Sequence, residues 1–272
     1  MGADNQTLSA AAILDAITVR YTAAPILESL SLTLLRGEVT ALVGISGCGK
    51  TTLLNAIAGF VQPQGGEVRF PNGKPRIGFV FQEDALFPWK TLGQNIAQGT
   101  EIRGRDESDR MSFVCAIATK LGLEDALALH PSELSGGMAQ RGQLARALAC
   151  EPNLMLLDEP LSKLDVQTRY EIQLLLQSII SAHETLSTVI VTHDIDEALL
   201  LADRVLVMSG MPATISEDFV VPFGRPRTSE TQTLQEYIAM RRRVFDLIQS
   251  DYRHSIAARN SRKSNRSGAG DE

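Results

Sequence analysis

The sequence predicts an α/β fold with a mostly parallel core sheet. Short apolar, β-rich runs alternate along the chain with helical stretches, as strand-helix-strand units require. A glycine-rich loop stands directly between one such run and a helix. The 272 residues, 44% hydrophobic and 21% charged, can bury a sizeable core in one large domain or two small ones, which excludes a disordered or fibrous chain.

The elements follow in order. Leu14–Arg20 and Ile26–Leu35 read as strands joined by a turn. Val39–Val43 is an apolar run that stops at Gly44, as a buried strand does. Thr51–Ala58 has a helical pattern closed by Gly59. Ile77–Phe81, Leu154–Leu157, Ser187–Thr192 and Val205–Met208 are further strands. Ser108–Leu121 and Gly136–Cys150 are helical and lie between two of them, so they read as an inserted helical unit over about 84–152. Pro222, Gly224 and Pro226 then break the pattern and end the body at 222. Leu234, Tyr237, Ile238, Val244, Phe245 and Ile248 share one helical stripe, predicting a helical extension over 223–250 that either packs on its own domain or, aided by Arg241, Arg242 and Arg243, touches a membrane or a partner embedded in it. Residues 251–272 are expected to form a disordered basic tail, being rich in Ser, Asn, Arg and Gly.

Lysine plus arginine total 26 against 32 aspartates plus glutamates, a net charge of −6. That balance argues against a nucleic-acid-coating protein. It averages unlike parts: from Arg225 onward ten basic residues face six acidic ones, so a basic tail suited to anionic lipid follows an acidic body. Three scattered cysteines, Cys48, Cys115 and Cys150, predict a reducing compartment rather than a disulfide scaffold. No run of about 18 apolar residues offers a membrane span. The N-terminus lacks a secretory pattern, and Gln6 stands where Met1-Gly2 acylation needs Ser or Thr. The chain is expected to be cytosolic unless a partner holds it at a membrane.

Gly44-Ile45-Ser46-Gly47-Cys48-Gly49-Lys50-Thr51, followed by Thr52, has P-loop spacing between a strand and a helix. Polyphosphate must be gripped by main-chain N–H groups; glycines let the backbone curl and the helix N-terminus adds a favourable dipole. Lys50 then reaches the β- and γ-phosphates of ATP, and the Thr51 hydroxyl ligates Mg2+. Cys48 reads either as an oxidisable thiol at a helix start or, preferably, as small filler. Leu154-Met155-Leu156-Leu157-Asp158-Glu159 is a buried strand ending in two acids: Asp158 suits the Mg2+ shell, and Glu159 suits a general base on the attacking water.

Leu134-Ser135-Gly136-Gly137-Met138-Ala139-Gln140-Arg141 precedes that strand. Here the chain closely resembles the ATP-binding subunits of ABC transporters, from about Leu14 to at least Gly210. The order of motifs agrees: Gln82 after a strand resembles the Q-loop, Leu161-Ser162-Lys163-Leu164-Asp165 the D-loop, Thr192-His193-Asp194 the switch, and Tyr21 the aromatic ring against adenine. The resemblance implies a P-loop core with an antiparallel β subdomain and an inserted helical subdomain. It implies that Gln82 contacts Mg2+ or the attacking water, and that His193 meets the γ-phosphate and orients Glu159. It also implies that Ser135, Gly136 and Gly137 face ATP held by an opposite subunit, with Asp165 joining the two sites. Partners follow: a twin or paired ATPase, integral-membrane permease subunits and, indirectly, an extracytoplasmic solute-binding protein, at the cytoplasmic face of the cell membrane.

Met138 and Lys163 depart from the commonest pattern, and Gly142 inside the signature helix costs up to about 1 kcal/mol relative to alanine. The run Leu86-Phe87-Pro88-Trp89 resembles the importer branch serving nitrate, taurine and aliphatic sulfonates, with thiamine-precursor members also similar. Asp194-Ile195-Asp196-Glu197-Ala198 and Arg225-Pro226-Arg227 fit that branch. Trp89 either grips a helix of the permease or packs the inserted helices. Two rivals stand beside an importer ATPase: an ABC-type ATPase in DNA repair, and one that regulates a membrane complex without transport.

Overall fold

The computed structural model describes residues 10–102 and 106–267. The sequence readings at the N-terminal 1–9 and the last part of the tail, 268–272, lie outside the described residues.

Two sheets form the frame. β1 (Ala10–Arg20), β2 (Pro25–Leu35) and β4 (Gly65–Arg69) make an antiparallel sheet in the order β2-β1-β4. β3 (Val39–Val43), β5 (Ile77–Val80), β6 (Leu154–Asp158), β7 (Ser187–Val191), β8 (Arg204–Ser209) and β9 (Thr214–Val220) make the second, in the order β5-β6-β7-β3-β8-β9. Its pairs are parallel except β8 with β9. β3, β6 and β7 are buried along their whole length, which explains their unbroken apolar runs.

Alternate residues of these strands feed different cores. Leu154 and Leu156 pack with Leu53 and Leu54 of α1 (Lys50–Ala58), which lies between the two sheets. Met155 and Leu157 face the opposite core, formed with α5 (Val166–Ala182) and α6 (Ile195–Leu201). Between β5 and β6 stand α2 (Leu92–Ile102), α3 (Glu107–Lys120) and α4 (Gly136–Ala149), with a core of their own. These are packed helices, and none of them forms a coiled coil among the described residues.

Strands β4 and β9 and helix α2 lie beyond the sequence reading. β4 opens on two glycines and exposes most of its length, so pairing with β1 rather than propensity makes it a strand. β9 is an exposed edge strand, tied to β8 by Arg204, whose Nη2 lies 2.6 Å from Asp218. α2 carries Gly93 and Gly99, and a Cβ at Gly99 would lie 2.6 Å from Ala149 Cβ. The glycine lowers local propensity but lets α2 approach α4 closely.

The C-terminal segment differs from expectation. One helix, α7, runs from Gln235 to Ser267, past the 223–250 bounds expected for the extension. No proline or glycine interrupts that span, so nothing in it stops the helix. The apolar stripe also splits. Tyr237 and Val244 are buried with Ile248 against them, whereas Leu234, Ile238 and Phe245 remain about half exposed.

Candidate active site

Four neighbouring parallel strands, β5, β6, β7 and β3, deliver their loops to one edge of the sheet. β3 leads into the P-loop and α1, β5 into Gln82, β6 into Asp158 and Glu159, and β7 into His193. Ligand sites form at the carboxyl ends of such strands.

The P-loop is set by close backbone contact. Gly44 has φ 156°, and a Cβ there would collide with the Met208 carbonyl. Gly49 at φ 100° caps the start of α1. Lys50 is buried, and its Nζ donates to the carbonyls of Gly44 at 2.8 Å and Ile45 at 3.0 Å. Thr52 is buried on the inner side of α1, whereas Thr51 is exposed at the helix start. Ser46 and Gly47 are exposed at the crown of the loop. Cys48 is buried 3.9 Å from Lys50 Nζ; burial pushes its thiol up, and Lys50 only partly opposes this. A buried thiol raised in this way is inert filler.

The Thr51 hydroxyl donates to Asp158 Oδ1 at 3.2 Å. Burial pushes the Asp158 carboxyl up, with Glu159 adding to the rise and the Thr51 bond and Lys50 opposing it. Among the described residues Thr51 is its single side-chain hydrogen-bond partner. A nearly buried carboxylate beside a hydroxyl is a hard-oxygen set with unmet demand for a cation, which fits Mg2+.

Glu159 joins the other loops. Its Oε2 accepts from Gln82 Nε2 at 3.0 Å and lies 3.3 Å from His193 Nδ1. Its backbone sits at φ 47°, a left-handed conformation that costs about 1–3 kcal/mol and persists only where surroundings enforce it. The enforcement is visible. Glu159 N donates to Val191 O at 2.9 Å, and the Ser162 hydroxyl donates to Glu159 O at 3.0 Å, which ties the D-loop to it.

Five predicted residues do not join this cluster. Tyr21 is 57% exposed beyond the end of β1. Ser135 N-caps α4, accepting from Met138 N at 3.2 Å, and Gly136 and Gly137 form its first turn. Asp165 N-caps α5, accepting from Gln167 N, Thr168 N and the Thr168 hydroxyl, and these bonds hold its carboxyl below the usual range. The starts of α4 and α5 are neighbours, since a Cβ on Gly137 would lie 2.6 Å from Thr168 Cγ2. Gly142, unexplained by sequence, is explained by packing: a Cβ there would lie 2.6 Å from Leu92 Cδ1 at the start of α2.

Arg169, which no motif covers, and Glu197 support the switch. Arg169 Nη1 pairs with Asp194 Oδ2 at 3.2 Å. Glu197 is buried and accepts from the Thr192 hydroxyl at 2.7 Å; burial pushes its carboxyl up to about 8. A glutamate three residues into a helix, next to alanine and three leucines, was the available sign of burial.

Fold and site together define a P-loop ATPase of the ATP-binding-cassette class. The ABC transporter profile matches residues 27–162. An aliphatic sulfonates import ATP-binding protein, SsuB 1 of Pseudomonas aeruginosa, is 43% identical over 228 residues, covering 79% of this chain and 89% of the relative. SsuB 2 of Burkholderia lata is 39% identical over 229 residues, covering 82% and 81%. A dimeric post-hydrolysis state of the ATP-binding cassette MJ0796, bound to ADP and Pi, superposes with a TM-score of 0.69 at 27% identity, over 78% of this chain and all of that one. The chain belongs to the ABC transporter family, and it is an ATP hydrolase coupled to transmembrane transport. Among the described residues no helix is long and apolar enough to cross a membrane.

Proposed function

We propose that this chain energises import of a small sulfonate-type anion through permease subunits, working as a head-to-tail pair at the cytoplasmic face of the membrane. The observation that carries the catalytic part is the shared oxygen of Glu159, bonded to Gln82 and within reach of His193. Gln82 donates to the carboxylate and His193 stands beside it, so both can fix its orientation toward an attacking water. Glu159 accepts the proton as the water oxygen attacks phosphorus; the bond from phosphorus to the bridging oxygen breaks, and ADP and phosphate leave. Thr51 and Asp158 would hold Mg2+, which supplies charge neutralisation on the phosphate oxygens. Lys50 binds the β- and γ-phosphates, and the loop N–H groups of residues 45–51 cradle them. Tyr21 offers its exposed face to adenine.

Two features support the partner reading. Trp89 is 71% exposed, which disfavours its packing within the inserted helices. It leans on Phe87 with ring centroids 5.4 Å apart, and Arg146 stands 5.5 Å over the Phe87 ring. Beside them a cavity of about 420 Å3 is lined by Phe79, Phe81, Ala85 and Cys150 among others. A stiff apolar rim around a groove suits an inserted helix, here from a permease. The sulfonate class rests on the names of the relatives.

Glu159→Gln tests the catalytic reading: ATP binding persists while turnover falls about 10²–10⁴-fold. Near-normal turnover in that variant removes Glu159 as the base. Trp89→Ala tests the partner reading, with retained ATP binding and lost co-purification with the permease expected. Sulfonate-stimulated ATPase activity of the reconstituted complex tests the cargo.

A further inference from the structure

Helix α6 starts one residue after Asp194 and carries the switch with it. Asp194 N-caps the helix, accepting from Asp196 N at 2.9 Å and Glu197 N at 3.1 Å. Thr192 is bound to Glu197, and Asp194 N donates to the Thr192 hydroxyl at 3.0 Å. His193 thus sits between two residues fixed to α6, so any rotation or slide of α6 moves its imidazole relative to Glu159.

Both ends of α6 are gripped by the C-terminal extension. At the last turn, Arg227 Nη1 donates to Leu199 O at 2.9 Å and also to Ala202 O, while Arg225 Nη2 donates to Leu201 O at 2.7 Å. These carbonyls have no partner within the helix, and a cation there is also favoured by the helix dipole. At the first turn, Asp196 Oδ1 accepts from the Tyr237 hydroxyl at 3.0 Å and Arg241 Nε at 2.9 Å. Arg227 reaches α5 as well: its backbone N–H donates to Gln177 Oε1 at 2.7 Å, and its backbone O accepts from Gln177 Nε2 at 2.8 Å. It is 2% exposed, and burial brings its guanidinium down to about 10. An apolar residue would fill that space without burying a charge; only a forked donor satisfies the carbonyls at the end of α6 together.

We propose that the C-terminal extension is a clamp on α6 that holds His193 in register with Glu159, with Arg227, Tyr237 and Arg241 as positioning residues. This rests on the reading of Glu159 and His193 given above. Arg225-Pro226-Arg227 and the start of α7 are then part of how the ATPase works, although none of them belongs to the P-loop, the signature or the acids that end β6.

The test uses the full chain carrying Tyr237→Phe with Arg241→Met, which removes the donors to Asp196 and keeps the buried ring and Arg227 in place. The expected result is a kcat about ten-fold lower, with KM for ATP and the ATP Kd within about two-fold and Tm nearly unchanged. Arg241→Lys beside an intact Tyr237 should keep most of the rate. In a His193→Ala background, followed in single turnovers, the pair should cause no further loss, because both changes act through one imidazole. An unchanged kcat overturns the clamp, as does the same fold-loss added on top of His193→Ala, or a loss of rate accompanied by a matching fall in Tm and ATP affinity. If His193→Ala alone keeps the full rate, the reading of His193 falls first and the clamp with it.

Discussion

The starts of α1 and α4 are built differently. At α1 the loop is wired to its surroundings: Lys50 is bonded to loop carbonyls, Thr51 to Asp158, and Glu159 to Gln82 across from His193. At α4 the Ser135 hydroxyl oxygen accepts from Met138 N and keeps its proton to donate, and Ser135 and Gly136 are exposed. No hydrogen bond or ion pair joins them to the P-loop or Glu159 among the described residues. Beside them stands Val166, 84% exposed at the start of α5. One helix start belongs to a nearly finished site. The other is an exposed surface, and under the proposed head-to-tail pairing it is the one that would meet ATP held by a second chain.

The largest effect separating these two regions is expected from Ser135→Arg. Turnover should fall about 10²–10³-fold while the isolated chain still binds ATP within about three-fold of normal, as in losing transition-state contacts without ground-state binding. Equal losses in turnover and affinity would place the signature in the same chain's site. Next comes the fit of α4 itself. Gly142→Leu should destabilise the chain by about 1–3 kcal/mol in urea unfolding, because the new side chain meets Leu92, and Gly142→Ala should do less.

A third prediction separates the wired region by pH. Glu197 is raised to about 8 when folded and returns to about 4.3 when unfolded. Between those values the folded state holds the extra proton, so this group's contribution to stability is full below about pH 4 and is lost as pH rises through 8. Glu197→Gln keeps the shape without the proton, so the variant's stability should fall less steeply than that of the parent between pH 5 and 8. Parallel curves would mean that Glu197 is ionised when folded. The smallest effect is expected from Tyr21→Ala, which should weaken ATP binding by about 1 kcal/mol, read by calorimetry, and leave kcat unchanged.

How much the sequence disclosed follows the same division. Motifs made of consecutive residues were legible because their chemistry is local: the P-loop, the acids ending β6 and the signature stand at the positions their spacing implies. β3 was legible to the residue because a strand buried on both faces leaves no polar interruption. What long-range pairing creates stayed hidden. β4 is a strand only because β1 lies beside it. Gly142 reads as a helix defect until Leu92 is seen against it. The apolar stripe of α7 could not reveal which part of it faces the body, since Tyr237 is chosen by Asp196, a residue 41 positions earlier. Arg227 looked like part of a polar tail, and its burial depends on carbonyls supplied by α6.

The claim that each site is assembled from two chains is tested most directly by mixing two inactive variants, Lys50→Ala and Ser135→Arg. A mixed pair contains one site with both defects and one with an intact P-loop facing an intact signature. The account expects ATPase activity to reappear on mixing, approaching a quarter of the parent rate at equal proportions if chains pair at random and each intact site turns over independently. Activity that stays at the level of the separate variants, while exchange of labelled chains shows that mixed pairs have formed, would contradict it.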